Sequence, residues 1–239
     1  MRTSLPPIVG LCLIFAGVAC GQELVAHWPL DAAEGNVLPD ASGNGHDATF
    51  GDKAEGLPVF APGMHGQALR MDGALEQFLT VAGSEALNFD GPFTAMAWLK
   101  PVARNATYEV LCFKGDKSGD PPWPGWRLRY FWTRAVLQVG SPDGAEPTVS
   151  SAEWSVPAGF WTHIAGTWDG EKLRMYVNGV ERAAVEFAGT IAPQNRQMVM
   201  GNYMGRKNAY AFTGLLDDVR VFKGALTQEQ VFEQASQAP

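Results

Sequence analysis

The chain carries 25 Asp and Glu against 18 Lys and Arg, so carboxylate chemistry is the first activity to test. A retaining glycosidase needs two carboxyls about 5–5.5 Å apart, one acting as nucleophile and one as acid. On a strand this requires even spacing, because alternate side chains point to opposite faces. Asp72 and Glu76 are four apart, but Gly73 between them marks a turn. Glu181 and Glu186 are five apart, and Asp217 and Asp218 are adjacent, so each pair splits across a regular strand. Asp116 and Asp120 lie in a Gly- and Pro-rich loop. His163 has no serine in a Gly-x-Ser-x-Gly elbow to activate, and reads as a hydrogen-bonded strand histidine. These residues predict no enzyme.

Binding chemistry is better supplied. Calcium takes carboxylate and carbonyl oxygens at about 2.3–2.6 Å. Asp31 ends the first strand, Asp40, Ser42 and Asn44 form a tight polar turn around glycines, and Asp217 lies in the last strand. First and last strands often neighbour each other in a jelly roll, so Asp31, Asn44 and Asp217 are the expected ligands of a structural calcium. The alternative is that Asp40-x-Ser-Gly-Asn is an Asx-type turn satisfying its own backbone. Glycan sites want flat aromatic faces beside planar polar groups. Residues 114–134 supply both, with Lys114, Asp116, Lys117, Trp123, Trp126, Arg127, Arg129, Tyr130 and Trp132. Trp123 sits between prolines, which suits a loop rather than a core. Trp126 and Tyr130 share a strand face with Leu128, and that face is either a sugar platform or part of the core. A second candidate loop holds Asn202, Tyr203, Arg206 and Tyr210.

The elements that must position these residues are strands. Phe160–Phe187 reads as three strands joined by Asp169-Gly170 and Asn178-Gly179, dipeptides that suit hairpins because type I′ turns need positive φ at both central residues. Leu173, Met175 and Val177 alternate with Arg174 and Tyr176, so the middle strand has one apolar face. Further strands are expected at 24–30, 68–71, 77–81, 93–100, 108–114, 126–131, 135–139, 197–202 and 215–222. Gly, Pro, Asn and Asp separate them, a spacing that excludes βαβ units. Ser84–Leu87 suits one helical turn. Thr227–Ser236 is the one good helix, opened by a Thr-x-x-Gln capping box at Thr227 and Gln230.

Of the 239 residues, 16 are Pro and 27 Gly, which fits one large all-β domain. The formal charge of −7 argues against nucleic acid as a partner. Residues 1–20 read as a signal peptide, with Arg2 before an apolar run at Ile8–Ala19, leaving a domain at 21–239. Gly17-Val18-Ala19-Cys20 also resembles a bacterial lipobox, which would put a lipid on Cys20 and anchor the chain to an outer membrane or cell surface. Cys112 is then the remaining cysteine of the mature chain, and it reads as core packing.

Five segments, in order, resemble the laminin G-like domains of the concanavalin A-like lectin/glucanase superfamily. They are His27-Trp-Pro-Leu-Asp31, Asp40-Ala-Ser-Gly-Asn-Gly-His46, Pro92-Phe-Thr-Ala-Met-Ala-Trp98, Trp161-Thr-His-Ile-Ala-Gly-Thr-Trp-Asp-Gly running on to Asn178-Gly179, and Phe212–Phe222 with Ala225–Glu229. The resemblance covers about residues 24–235. It implies an all-β jelly-roll sandwich of two curved antiparallel sheets with a short C-terminal helix. By the same resemblance Asp217 matches a closing-strand calcium ligand. The Glu-x-Asp-x-x-Glu motif of lichenase-type hydrolases is absent. The expected function is an exported, non-catalytic module that binds carbohydrate or an extracellular protein. A glycoside hydrolase of the same fold, or a structural cell-surface assembly protein, is the alternative.

Overall fold

The computed structural model describes residues 21–51, 57–75, 77–102, 109–114, 124–192, 197–202 and 211–237. Strands β1 (Glu23–Trp28), β2 (Val37–Leu38), β3 (Ala48–Phe50), β4 (Val59–Pro62), β5 (Gln67–Met71), β6 (Leu79–Val81), β7 (Phe93–Pro101) and β8 (Glu109–Lys114) come first. Then follow β9 (Gly125–Phe131), β10 (Arg134–Gly140), β11 (Thr148–Ser150), β12 (Thr162–Trp168), β13 (Lys172–Val177), β14 (Val180–Glu186), β15 (Met198–Met200), β16 (Gly214–Lys223) and helix α1 (Gln228–Ser236). They form two antiparallel sheets. Sheet A runs β14-β13-β12-β7-β16-β5-β4, with β1 also on β16, and sheet B runs β11-β10-β9-β8-β15-β6-β3-β2. This is the jelly-roll sandwich that the sequence implies.

The period-2 pattern builds the core between the sheets. Leu173, Met175 and Val177 of β13 and Trp126, Leu128 and Tyr130 of β9 belong to one buried apolar cluster between the sheets. Tyr176, on the other face of β13, is buried in a second cluster with Met96, Phe222 and Val231, beneath α1. The helix opens as expected: Gln230 N donates to Thr227 Oγ1, and Thr227 N donates to Gln230 Oε1 at 2.9 Å. The short strands β2, β3, β4 and β11 are absent from the sequence reading, since two to four residues are too few to show a period.

β16 is the organising strand. One edge pairs with β7 along its length, while the other pairs first with β5 (Gly214–Leu216) and then with β1 (Val219–Lys223). At the junction the register shifts between Asp217 and Arg220, and Asp218 adopts φ 49°. This bulge overturns the expectation that Asp217 and Asp218 face opposite ways, because a bulge re-aims side chains. Asp217 accepts the N–H of His65, and the Asp218 carboxylate lies 4.0 Å from the His65 imidazole.

The registers also define two ends of the sandwich. Lys114 pairs with both Trp126 and Met198, so the 115–123 connection leaves at the end where β1 starts and β16 finishes. Glu109 pairs with Tyr130, so the β9–β10 turn and the exit of β15 lie at the opposite end. The Asn178-Gly179 turn and the start of β16 lie there too. The former is called the cleft end below, and the latter the turn end.

Candidate functional site

The expected ligand residues separate once the chain is folded. Trp126 is 1% exposed and tilts against Phe93 with ring centroids 5.3 Å apart, so its face is spent inside the core. Tyr130 is buried beside it. Both are removed from the ligand surface, because they share the inner face of β9 with Leu128. Trp123, Tyr203, Arg206 and Tyr210 lie outside the described residues, as does Cys20. Of the two candidate loops, residues 115–123 and 203–210 lie outside the described residues; Asn202 follows β15 at the turn end. Asn202 is buried with no hydrogen-bond partner for its Oδ1.

Arg129 lies on the non-core face of β9. Arg127 is its i−2 neighbour, so both guanidiniums project from the same side of β9, and both are buried. Arg127 donates through Nη1 to Gln138 Oε1 at 2.7 Å on the paired strand, and to Glu146 Oε1 at 3.3 Å. Thr148 and Ser150 of β11 lie opposite Gln138 and Val136, and Thr80 and Thr49 continue the row on the far strands. The face is therefore a floor of planar and hydroxyl groups, with the arginines held in place by neighbours.

At the turn end this floor meets aromatic rings. Phe131 continues the Arg127–Arg129 side of β9 and packs edge-on against Trp132, centroids 6.3 Å apart. Trp132 and Thr133 form the two-residue β9–β10 turn with φ of 47° and 65°. The 152–156 loop is fastened to it: Trp154 N donates to Thr133 Oγ1 and Val156 N to Thr133 O, each at 2.9 Å. Arg134 pairs with Glu153 at 3.4 Å. Trp154 itself is 61% exposed. Trp132 was visible in the sequence as part of the aromatic-rich stretch. Trp154 was missed, and its one signal is a tryptophan inside the polar loop Ser-Ala-Glu-Trp-Ser.

At the cleft end a cavity of ≈ 690 Å³ opens beside the start of β1, lined in part by Asn44, Glu85, Phe89, Asp90 and Lys223. Its volume is in the range of small-ligand pockets. Glu23, Glu85 and Asp90 are exposed there, and Asp169 is half-buried and paired with Arg174.

The expected calcium ligands divide between these ends. Asp31 and Asp217 hold the β4–β5 turn from two sides: Asp31 Oδ1 accepts the Gln67 N–H at 2.6 Å, and Asp217 Oδ2 accepts those of Met64 and His65 at 2.7 and 3.0 Å. Gly66 allows this, since a Cβ there would lie 2.4 Å from Asp31 Oδ1. Burial pushes the Asp217 carboxyl up to about 6, and its Oδ1 is buried without a hydrogen-bond partner. Asn44 does not join them. Its amide donates to the carbonyls of Leu24 and Val25, near the other end of β1, which corrects the expected set. Asp40 takes the alternative reading, its carboxylate accepting from the backbone of His27, Ser42 and His46. Those bonds outweigh burial and hold it below the usual range. Among the described residues no three His, Cys, Asp or Glu side chains gather as a metal site.

Around the same bulge, His27 Nε2 lies 2.6 Å from Asp218 Oδ1, which also accepts from Arg220 Nε at 3.0 Å. Burial would raise Asp218, but these partners hold it low. His163 is buried against Trp98, and burial keeps it neutral down to about 3. Asp217, Asp218 and His163 are buried, while His27 and His65 are partly exposed.

A family model described as the concanavalin A-like lectin/glucanases superfamily, of laminin G type, matches residues 72–232. Human pentraxin-related protein PTX3 is 33% identical over 94 residues, 38% of this chain and 24% of its own length. Mouse pappalysin-1 is 24% identical over 150 residues, 58% of this chain and 9% of its own length. The chain thus spans a minor part of both relatives. Among solved structures, the binding domain of Paraclostridial Mosquitocidal Protein 1 superposes with a TM-score of 0.72 at 18% identity, covering 89% of this chain and 52% of that one. Domain 4 of the extracellular arabinanase AbnA from Geobacillus stearothermophilus, solved with arabinotriose, gives 0.68 at 24% identity, covering 90% and 99%. The botulinum neurotoxin serotype D ligand binding domain, in complex with N-acetylneuraminic acid, gives 0.69 at 12% identity, covering 89% and 50%.

Proposed function

Because the chain belongs to the laminin G-like family of the concanavalin A-like lectin/glucanase superfamily, we propose that it is an exported, non-catalytic carbohydrate-binding module. The observation that carries this reading is the outer face of sheet B. There the half-buried Gln138 presents a planar amide that the buried Arg127 holds at 2.7 Å, with Arg129, also buried, beside it. Such groups match the vicinal hydroxyls of a sugar, and pre-ordering reduces the entropy lost on binding. The sugars bound by two of the structural neighbours support a glycan over a protein partner. A glycan array run beside a reducing-sugar assay separates the classes. Binding without release of reducing ends is expected. Turnover would make the chain a hydrolase, and an empty array with tight self-association would make it an assembly protein.

Export rests on the signal-like residues 1–20, and a lipid on Cys20 is part of the proposal. No helix among the described residues is long and apolar enough to cross a membrane. Detergent partitioning of the wild type and Cys20→Ala tests the anchor: equal partitioning removes it. A structural calcium is proposed with Asp217 and Asp31 as its side-chain ligands. The buried, unpartnered Asp217 Oδ1 suits a hard cation, which would neutralise a carboxylate that burial disfavours. Chelation should then lower the melting temperature, and an unchanged melt with no calcium by elemental analysis would remove the ion.

A further inference from the structure

Two hairpins in this protein close with the same two-residue turn. Val177 pairs with Val180 across Asn178-Gly179, and Phe131 pairs with Arg134 across Trp132-Thr133. The φ values match: 50° and 75° in the first, 47° and 65° in the second. Asn-Gly is the sequence this geometry favours, whereas a bulky residue at positive φ is a rare outlier. Trp154, fastened to Thr133, is a second tryptophan at positive φ, 66°. Three of the six non-glycine residues described with positive φ therefore sit in one corner, and two of them are tryptophans. Closing the hairpin does not require them, since the chain makes the same turn elsewhere with Asn-Gly. Trp154 does not serve the core either, being 61% exposed. Thr133 is buried and Trp132 half-buried beneath the exposed Trp154, and strain held where an indole stands out to solvent is a mark of function.

We propose that the Trp132–Trp154 corner is a sugar-stacking subsite, which takes the C–H face of a neutral glycan residue. The inference rests on the carbohydrate reading above and assigns that reading a place. An indole presents a flat apolar face with a polar N–H edge, the shape that the ring hydrogens of a sugar cover. The Arg134–Glu153 pair at 3.4 Å flanks the corner with a donor fork and an acceptor for the hydroxyls around the ring. Phe131 links the corner to Arg129 along one side of β9, so a longer chain would run from the rings onto the polar floor. A protein partner is the less suitable occupant. Stable protein interfaces bury about 800 Å² per partner, and an aromatic side chain contributes roughly 150–250 Å².

The test uses isothermal titration of the full chain with arabinotriose, xylotetraose, cellotetraose and mannotetraose, with N-acetylneuraminic acid as a charged comparison. Trp154→Ala and Trp132→Ala should each weaken binding of the preferred neutral oligosaccharide about tenfold, with the wild-type melting temperature. Trp154→Phe should recover most of the affinity, which a merely structural role would not predict. Wild-type affinity in both alanine variants overturns the subsite and leaves the carbohydrate reading standing. Preference for the charged sugar, with no loss in the variants, likewise overturns it. If the wild type binds none of these sugars and nothing on a glycan array, the carbohydrate reading fails and takes the subsite with it. A protein ligand lost in Trp154→Ala, with no glycan binding, would reassign the corner to docking.

Discussion

The β9–β10 and β13–β14 hairpins share a turn geometry and differ in what the turn touches. At β13–β14, Asn178 is clamped: its N–H donates to His163 O at 2.8 Å, and its Oδ1 accepts the His163 N–H at 2.9 Å. Gly179 lies under α1, close enough that a Cβ would fall 2.8 Å from Phe232 Cα. At β9–β10, the strands dive into the core through Trp126, Leu128 and Tyr130, while the turn carries Trp132 and the attached Trp154 outward. One turn is closed by the scaffold and has the residues that local geometry prefers. The other is bound to the 152–156 loop, with Thr133 buried and Trp154 exposed, and has residues that local geometry resists. The difference teaches that where residue choice and backbone preference agree, stability explains both, and where they disagree another requirement is acting.

Four experiments test this contrast. The largest effect should come from Trp126→Ala, which empties the core where Phe89 and Phe93 meet it and should cost about 3–5 kcal/mol in denaturant melts. A loss of binding without loss of stability would instead return Trp126 to the ligand site. Next is Gly179→Val, where positive φ and the approach of α1 together should cost about 2–4 kcal/mol. A change below about 0.5 kcal/mol would mean the turn is not closed by the helix. Third is Trp132→Asn, which gives the β9–β10 turn the residue of the β13–β14 turn. It should leave the melting temperature at or above wild type while weakening glycan binding about tenfold, and a lower melting temperature would mean that Trp132 is there for stability.

The smallest effect is a pH dependence confined to the closed turn. Burial holds His163 neutral down to about 3, against 6.5 when exposed. Between those values the unfolded chain takes up a proton that the folded chain refuses. Stability present above pH 6.5 is therefore lost as pH falls through the window. Asp217 works the other way: raised from 3.8 to about 6, it keeps a proton in the folded state that the unfolded chain releases, which adds stability as pH falls from 6 to 3.8. His163→Gln should remove the loss of melting temperature between pH 7 and 6, leaving the opposite slope that Asp217 begins to add near pH 6. The same slope in the variant would point to another group.

Much of the scaffold was legible because it obeys local rules. The meander announced itself through Asn-Gly and a period of two, and α1 through its capping box; at the other turn only Gly170 takes positive φ and Asp169 N donates to Lys172 O, so Asp169-Gly170 is not the expected two-residue turn. The site was less legible, since burial is decided by partners distant in sequence. Alternation put Trp126 and Tyr130 on one face of β9, but whether that face looked inward depended on which sheet covered it. Asp217 and Asp218 were misassigned because the bulge arises where β5 and β1 share an edge of β16, an event no local window contains. The two candidate loops fall mostly at 115–123 and 203–210, outside the described residues.

The pairing of β1 with the end of β16 also fixes how the domain is presented. Glu23 lies opposite Lys223, and Gln22 reaches both Ala225 and Gln230. Whatever precedes Gly21 therefore leaves from the cleft end. The seven residues of β9, at roughly 3.3 Å each, hold the tryptophan corner about 23 Å further on. A tether joined ahead of β1 would hold the sandwich upright, with its stem at one pole and its aromatic tip facing out. The strand pairing that closes sheet A would then also set the direction in which the protein reaches.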